Sequence, residues 1–152
     1  MPTIIAAERP DTADAIALIT ELEAHLDPFY PPASRHGFSV DKLIRQGVAF
    51  FVIRQDDAPA GCGGVKLFGA EYGEVKRMFV RPRFRGLGLA KAMLEHLATY
   101  TRQQGAPLLR LETGIYQQEA IRLYERWGFQ RIPPFGDYQE DPLSLFYEKR
   151  IV

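Results

Sequence analysis

The sequence predicts an α/β fold in which a mixed, mostly antiparallel sheet is flanked by helices, and three observations predict it. Segments with strand character alternate with segments of helical period along the chain. Three strand segments between 48 and 80 are separated only by short turns, which favours antiparallel hairpins. A strand, a helix and a strand then follow over 74–112, and such a unit requires a right-handed parallel crossover. The predicted order is β-α-α-β-β-β-α-β-α-β-β.

Length and composition predict a single folded domain over residues 1–152. Lys plus Arg and Asp plus Glu number 19 each, so the formal net charge is zero and a broad electrostatic attraction to nucleic acid or an anionic membrane is not expected. Hydrophobic residues make up 46% of the chain, which is enough for a packed core. There is neither a signal-peptide pattern nor an apolar stretch of membrane-spanning length, and Cys62 is the single cysteine. We therefore expect a cytoplasmic protein without a disulfide.

The first third of the chain is predicted to form a strand and two helices. Ala15, Leu18, Ile19 and Leu22 recur at helical spacing behind the polar caps Asp11 and Thr12. Three prolines interrupt the segment that follows, and a second helix has Ser39 as its cap and Gly47 as its stop. In chain order the predicted elements are strand Thr3–Glu8, a helix from Asp11 or Thr12 to about His25, loop Asp27–Ser34 and helix Ser39–Gln46.

The middle of the chain is predicted to contain three strands, with turns at Gln55–Pro59 and Gly69–Gly73. Glycines in the second strand suggest a bulge or a close backbone approach. Pro82 ends the third strand, because proline cannot continue the ladder. The predicted strands are Val48–Arg54, Ala60–Leu67 and Glu74–Val80.

The last third is predicted to contain two helices and three strands. The helix after Gly86 has the strongest helical period and stops at Gly105, and a later helix stops at Gly128. The two final strands are joined by a long loop rich in Pro, Gly and Asp. The predicted elements are a helix from Gly86 to Gly105, strand Leu108–Glu112, helix Gln117–Trp127 and strands Phe129–Ile132 and Leu145–Lys149.

The segment 83–90, here called the glycine loop, has the sequence RFRGLGLA and joins a predicted strand to a predicted helix. A helix N-terminus presents free N–H groups and partial positive charge, which favours phosphate. Glycines let backbone amides approach an anion, and arginines add charge-assisted donors. A dinucleotide fingerprint is a weaker interpretation, because Lys91 stands where its third glycine is needed. A solvated basic turn is the remaining alternative.

Two motifs together resemble one known family. Arg83-x-x-Gly86-x-Gly88-Leu89-Ala90 follows a strand that ends Val80-x-Pro82 and resembles the acetyl-CoA loop of the GNAT superfamily of N-acetyltransferases. The second motif, Gln117-x-x-Ala120-Ile121-x-Leu123-Tyr124-x-x-x-Gly128-Phe129, is similar to the Asn-led helix motif of that family. The element order fits over nearly the whole chain. The tail over 133–149 resembles a branch of small bacterial GNAT proteins related to Bacillus YsnE.

The resemblance implies a GNAT-like, mostly antiparallel sheet of six to seven strands with about four helices, in which the fourth and fifth strands splay apart. It also implies acetyl-CoA as cosubstrate, with its pantetheine arm in the splay, and no metal. The amide of Gln117 replaces the family asparagine, and its longer side chain leaves that contact open. The cofactor-binding residues implied are Met78, Phe79, Val80, Arg83, Arg85, Gly86, Leu87, Gly88, Leu89, Ala90, Gln117 and Tyr124.

The resemblance also implies two catalytic residues. Tyr124 matches the tyrosine that protonates the leaving thiolate in many members, and a phenol stays protonated at neutral pH. The alternative is a core tyrosine, because Tyr124 lies in an apolar stripe of its helix. Glu74 matches a glutamate that serves some members as general base. The alternative there is an exposed carboxylate or a salt bridge to Lys76.

The acceptor site is less defined by the sequence. In this fold the loops 27–34 and 135–144 wall the acceptor pocket, which makes Tyr30, Tyr138 and the strand residue Lys76 candidate substrate contacts. Strand alternation predicts Glu74, Lys76 and Met78 on one face and Val75, Arg77 and Phe79 on the other. Lys76 or Arg77 is expected to bind a carboxylate on the acceptor.

The function implied is direct transfer of an acetyl group from acetyl-CoA to the primary amine of a small polar or amino-acid-like acceptor. The alternatives are an acyltransferase that uses protein lysine or another acyl-CoA, and a CoA-binding sensor without turnover. A homodimer is possible in this family, and neither a nucleic-acid nor a membrane partner is expected.

Overall fold

A computed structural model describes residues 2–152 and contains four α-helices and seven strands in that range. The helices begin and end close to the predicted residues, and Thr12 and Ser39 cap the first two by accepting the N–H groups of Ala15 and Lys42. The helices are α1 (Ala13–Leu26), α2 (Val40–Arg45), α3 (Leu89–Gln103) and α4 (Gln118–Arg126). The strands are β1 (Thr3–Ala7), β2 (Ala49–Gln55), β3 (Ala58–Phe68), β4 (Tyr72–Val80), β5 (Leu108–Gly114), β6 (Gln130–Ile132) and β7 (Ser144–Arg150).

The strands form one sheet in the order β1-β2-β3-β4-β5-β7-β6. Every neighbouring pair is antiparallel except β4 and β5, which are parallel and joined through α3. The predicted fold class is therefore confirmed: a mixed, mostly antiparallel sheet of seven strands with four helices. The final hairpin adds a detail that the sequence did not predict, since β7 inserts between β5 and β6 and leaves the short β6 at the edge.

Helices cover both faces of the sheet and create two apolar cores. On one face, α1 packs Leu18 and Leu22 against Val52 and Phe79, with Leu43 of α2 beside them. The larger core on the other face lies under α3. It contains Phe51, Ile53, Val65, Val75, Met93, Leu94, Leu97, Leu109, Leu111, Tyr124 and Tyr147. The helical spacing of the apolar residues in α1 and α3 matches the residues that are buried.

The hairpin between β2 and β3 is tighter than predicted. Its turn consists of Asp56 and Asp57, whose φ angles are 52° and 70°, so the pair fits a two-residue turn that needs positive φ at both positions. Pro59, predicted in the turn, belongs to β3 and pairs with Arg54 at a register shift. Asp tolerates the left-handed conformation, which is how the chain turns here without glycine.

The predicted splay of β4 and β5 is present. The two strands pair only at Gly73 with Leu109 and at Glu74 with Arg110, although β4 continues to Val80 and β5 to Gly114. Beyond these pairs the strands diverge. The divergence opens a cavity in the middle of the sheet, between the two helical layers.

A β-bulge in β4 corrects the predicted strand alternation. The register against β3 shifts between Cys62 and Gly64, and Arg77 has a φ of 57°. Met78 therefore joins Val75 in the core under α3, whereas Arg77 reaches α1 on the face of Lys76. The extra residue breaks the strict alternation predicted for Arg77, Met78 and Phe79, so Phe79 lies in the core under α1 and not on the face of Val75. Its consequence is to place two adjacent cations, Lys76 and Arg77, on the same side of the cavity.

Candidate active site

The cavity in the splay has a volume of about 170 Å³. Its walls come from α1, the segment between α1 and α2, β4, β5, α4 and the loop between β6 and β7. Elements distant in sequence therefore meet here because the sheet opens. Seven of the residues predicted for the site line the cavity: Tyr30, Glu74, Lys76, Met78, Gln117, Tyr124 and Tyr138.

The glycine loop reaches the N-terminus of α3 in a conformation that suits an anion. Gly86 and Gly88 have φ angles of 83° and 76°, where residues with a side chain are strained. Gly88 is the N-cap, no side chain caps the helix, and a methyl group placed on either glycine would meet no atom within 4 Å. Leu87 is exposed and Leu89 is buried in the core. The first amides of α3 therefore have no side-chain cap, and the two glycines before them are uncrowded.

The arginines around this loop have different contacts. Arg81 is held by both carboxylate oxygens of Glu21, at 2.9 and 2.6 Å, so it belongs to the packing of α1 on β4. Arg83 lies over the ring of Phe84, with its guanidinium carbon 4.6 Å from the centroid. Arg85 donates from Nε to the carbonyl of Val80 at 3.2 Å. Arg83 and Arg85 therefore remain beside the glycine loop, and Nη1 of Arg85 lies 4.0 Å from the exposed carboxylate of Glu119.

The backbone of β4 is open toward the cavity. Arg81 donates its N–H to the carbonyl of Ala60 on β3, so the backbone groups of Val80 point the other way, into the gap. The bond from Arg85 to the Val80 carbonyl agrees with this direction. The side chains of Met78 and Phe79 lie in the two opposite cores. The predicted contacts of these two residues with a ligand would therefore come chiefly from their backbones.

Tyr124 of α4 is both a core residue and a cavity residue. Its ring packs edge-on against Phe129 at 5.6 Å between centroids, and the side chain lines the cavity. Burial raises the pKa of its phenol, and the nearby carboxylate of Glu112 raises it further. The hydroxyl therefore stays protonated at neutral pH and can donate a proton. The two interpretations of Tyr124 describe the same side chain, since the core packing fixes the ring beside the cavity.

Glu74 lies in the cavity wall, and its Oε2 atom contacts two neighbouring side chains. The hydroxyl of Tyr138 donates to its Oε2 at 2.6 Å, and Nζ of Lys76 lies 3.0 Å from the same oxygen. Burial lowers the pKa of Lys76, while the Glu74 carboxylate opposes that change. Lys76 also donates to the carbonyl of His36 at 3.4 Å and to Tyr138 at 3.1 Å. This cluster joins β4 to the loop between β6 and β7.

Glu112 of β5 is a cavity residue that the sequence analysis did not select. Burial raises the pKa of its carboxyl group, although the hydroxyl of Ser144 donates to its Oε2 at 2.7 Å. It lines the cavity together with Tyr124. The available signal was its position at the end of an apolar strand, where a charged side chain is unusual unless it has partners. The sequence could not show that the splay turns this position toward a cavity.

Tyr30 closes one side of the cavity over the end of β5. Its hydroxyl donates to Oε1 of Gln117 at 3.0 Å and accepts the N–H of Tyr116 at 3.0 Å. The ring lies so close to Gly114 that any side chain there would collide with it. The Oε1 atom of Gln117 is thus used within the protein, which leaves its NH₂ group for other contacts.

Between residues 2 and 152 there is no helix long and apolar enough to cross a bilayer. Within the same described part of the chain, no group of three His, Cys, Asp or Glu residues is arranged to hold a metal ion.

Comparisons with known proteins agree with this geometry. The family model of the acetyltransferase (GNAT) family matches residues 18–129. The IAA acetyltransferase of Azospirillum brasilense is 40% identical over 151 residues, which cover 98% of this chain and 99% of that protein. The Bacillus subtilis N-acetyltransferase YsnE is 34% identical over 138 residues, covering 90% of this chain and 91% of that protein.

Solved structures support the same assignment. A Klebsiella pneumoniae protein of the acyl-CoA N-acyltransferase type is 36% identical, with a TM-score of 0.84 over 99% of this chain and 98% of that one. The PaiA N-acetyltransferase of Thermoplasma acidophilum, solved with coenzyme A, shares the fold at 18% identity, a TM-score of 0.77 and 99% coverage of both chains. The chain is therefore a member of the GNAT acetyltransferase family and an acyltransferase by fold, sequence and relatives.

Proposed function

We propose that this protein is an acetyl-CoA-dependent N-acetyltransferase that transfers the acetyl group directly to the primary amine of a small, amino-acid-like acceptor. The observation that carries the proposal is the cavity in the β4–β5 splay, which has a buried tyrosine hydroxyl and the half-buried carboxylate of Glu112 in its wall. The glycine loop follows directly after β4, the strand that borders the cavity. On this proposal, residues 1–152 act as a single N-acetyltransferase domain.

The donor half of the site fits a coenzyme A thioester. The open backbone of β4 offers hydrogen-bonding groups along the gap, and the first turn of α3 offers amides to a pyrophosphate. Met78, Phe79 and Val80 would contact the pantetheine arm through their backbones. Arg83, Arg85 and the segment 86–90 would hold the phosphates. When bound, acetyl-CoA supplies the activated acetyl group as a thioester.

The proton transfers are assigned to β5 and α4. A neutral amine is needed for attack, and a carboxylate with a raised pKa is better suited than an ordinary one to accept its proton near neutral pH. Glu112 has that property, whereas Glu74 is tied to Lys76 and Tyr138. We therefore assign the base to Glu112 in place of Glu74. Tyr124, which stays protonated, donates its proton to the leaving thiolate.

The acceptor half is assigned to the polar wall of the cavity. Tyr30, Lys76 and Tyr138 line it, and its wall contains both carboxylates and cations. Such mixed charge supports a small zwitterionic or polar acceptor more than an apolar one.

Two experiments test the proposed function. Thermal unfolding is measured with acetyl-CoA, CoA and NAD, and stabilisation by the two CoA compounds is expected because they bind the folded state. Stabilisation by NAD alone would contradict the donor assignment. Release of free thiol from acetyl-CoA is then measured with a panel of amines. Tight binding of acetyl-CoA without turnover of any amine would replace the proposal by a CoA-binding sensor.

A further inference from the structure

Arg77 of β4 and Arg81, the residue that follows this strand, each pair with a glutamate of α1, and the two arginines differ in how many of their donors have partners. The Arg81 guanidinium is satisfied on all three nitrogens. Nε and Nη2 contact Glu21 at 2.9 and 2.6 Å, and Nη1 donates to the carbonyl of Pro59 at 2.9 Å. Arg81 is not part of the cavity wall, and its contacts explain it as a structural residue.

Arg77 is more deeply buried and less satisfied. Its side chain is 3% exposed, and Nη2 donates to Oε1 of Glu23. Its Nε is buried and has no hydrogen-bond partner within residues 2–152. Buried donors in proteins almost always have an acceptor, so an unpaired one in a cavity wall indicates a missing partner.

The chain holds Arg77 in this place by two local features. The bulge gives it a φ of 57°, which is uncommon for a residue with a long side chain and turns the guanidinium toward α1. Gly37 lies against the guanidinium, and a methyl group at that position would collide with it. Strain at a residue that lines a cavity is typical of functional positions.

The lysine and the second arginine of the cavity wall have partners within the protein, whereas Nε2 of His36, also in the wall, lies 3.7 Å from Asp141 without a hydrogen bond to the described part of the chain. Lys76 contacts Glu74, Tyr138 and the carbonyl of His36. Arg35 donates from Nε to the carbonyl of Tyr30 at 2.9 Å, and its Nη1 lies 3.1 Å from Asp27. Of the two residues expected to bind an acceptor carboxylate, the structure thus favours Arg77 over Lys76.

We propose that Arg77 binds a carboxylate group of the acceptor, so that the acceptor is an amino acid or a similarly small amine that carries a carboxylate. The inference rests on the proposed function and names the acceptor class for the same site. A guanidinium can bind a carboxylate through two parallel hydrogen bonds. Glu23 is 42% exposed at its side chain and acts as the resting counter-ion, which the acceptor carboxylate joins or displaces. The amine of the acceptor then lies toward Glu112.

The test uses matched pairs of acceptors. With acetyl-CoA as donor, kcat/KM is measured for the twenty standard amino acids and for their carboxamides, which keep the amine and lose the negative charge. The wild-type protein is expected to prefer at least one acid over its amide by tenfold or more, the scale of one charge-assisted hydrogen bond. Equal rates on acids and amides would overturn the assignment of Arg77 and leave the proposed function intact.

Three variants test whether Arg77 causes the preference for acids over amides. Arg77→Asn suits positive φ and removes the charge, and it is expected to bring the acid-to-amide ratio close to one. Gly37→Ala is expected to lower the same ratio without changing any charge, because the methyl group displaces the guanidinium. Arg81→Gln is the matched control, since it breaks an Arg–Glu pair between the same elements outside the cavity, and it should keep the wild-type ratio.

Glu23→Gln covers the case in which the Arg77 variant does not fold. Removing the competing charge from a half-exposed residue is expected to lower KM for the preferred acid several-fold and to leave KM for its amide unchanged. An unchanged or raised KM for the acid would contradict the proposed role of Glu23 and Arg77. If neither acids nor amides are acetylated while acetyl-CoA still stabilises the protein, the proposed function fails and this inference fails with it.

Discussion

The proposed site has a donor half and an acceptor half that are built in different ways: the acceptor half is the cavity, and the donor half lies beside it along the end of β4 and the glycine loop. The donor half consists largely of backbone: the open edge of β4 and the first amides of α3 behind Gly86 and Gly88. The acceptor half consists of side chains from α1, β4, β5, α4 and the β6–β7 loop. Backbone recognition suits one constant ligand, whereas a side-chain wall can change between relatives without altering the fold. The difference explains why a motif can reveal the donor while the acceptor has to be inferred from contacts.

The largest effect is expected at the junction of the two halves. Tyr124→Phe removes the phenol proton and keeps the ring in the core, so kcat should fall about 10²- to 10⁴-fold. The dissociation constant of acetyl-CoA should stay within about threefold, because binding of the donor depends on the backbone. Tyr147→Phe is the control, since this buried tyrosine bonds Glu125 in the same core outside the cavity, and its turnover should match the wild type. Unchanged turnover in Tyr124→Phe would contradict the assigned proton donor.

Of the two cavity carboxylates, we expect Glu112 to act in catalysis and Glu74 to stabilise the fold. Glu112→Gln is expected to lower kcat/KM about 100-fold at neutral pH, within the range of a lost general base. Glu74→Gln should lower the melting temperature more than Glu112→Gln does, because it removes the partner of buried Lys76. Its kcat/KM should fall less than that of Glu112→Gln. Steady-state kinetics and thermal unfolding of both variants check this. A larger loss of kcat/KM in Glu74→Gln than in Glu112→Gln would indicate that Glu74 is the general base.

A smaller effect confined to the donor half is expected at the glycine loop. Gly88→Ala places a methyl group at a φ of 76°, in the space where an anion would approach the amides. The dissociation constant of acetyl-CoA should rise about tenfold, and KM for the acceptor should not change. Gly105→Ala is the matched control: it ends the same helix at a φ of 91° with open space around it, so it carries similar strain away from the site. Equal loss of acetyl-CoA affinity in both variants would mean that strain alone is responsible.

The smallest effect is expected in the acceptor wall. Tyr138→Phe removes the donor to Glu74 but leaves Glu74 and Lys76 paired at 3.0 Å. The free energy of unfolding should fall by about 1–2 kcal/mol, and KM should rise for the acceptor alone. Chemical denaturation and initial-rate kinetics measure the two quantities. A change in the affinity for acetyl-CoA would show that the two halves are less independent than we infer.

Much of the fold could be predicted from the sequence because the relevant signals are local. Helical spacing defines α1 and α3, and polar caps and glycine stops place their ends. The parallel β4–β5 pair follows from the handedness of the crossover. The bulge at Arg77 could not be predicted, since it needs the register of β3 against β4. The insertion of β7 between β5 and β6 likewise depends on contacts between distant segments.

In the candidate site, too, local motifs could be recognised from the sequence, whereas contacts between distant segments could not. Tyr124 and the glycine loop lie in contiguous motifs, so the sequence was enough to select them. Glu112 becomes a candidate only when the splay exposes the end of β5 to the cavity, and Glu74 loses its apparent freedom only when Tyr138 folds onto it. Arg81, one of three arginines beside the motif, proved to be a structural residue held by Glu21. The sequence shows that a residue is charged, but it does not show which residue it pairs with in the folded chain.

The most direct test of the account is the pH dependence of kcat/KM for the wild type, Glu112→Gln and Glu74→Gln with one amine acceptor. Because burial raises the pKa of Glu112, its carboxyl group stays protonated to higher pH than usual, and activity should rise as pH increases through that value. The ionisation of the amine contributes equally to all three profiles. We expect the part of the pH dependence that is due to the enzyme to disappear in Glu112→Gln and to persist in Glu74→Gln. Loss of that part in Glu74→Gln, with Glu112→Gln unchanged, would contradict the account.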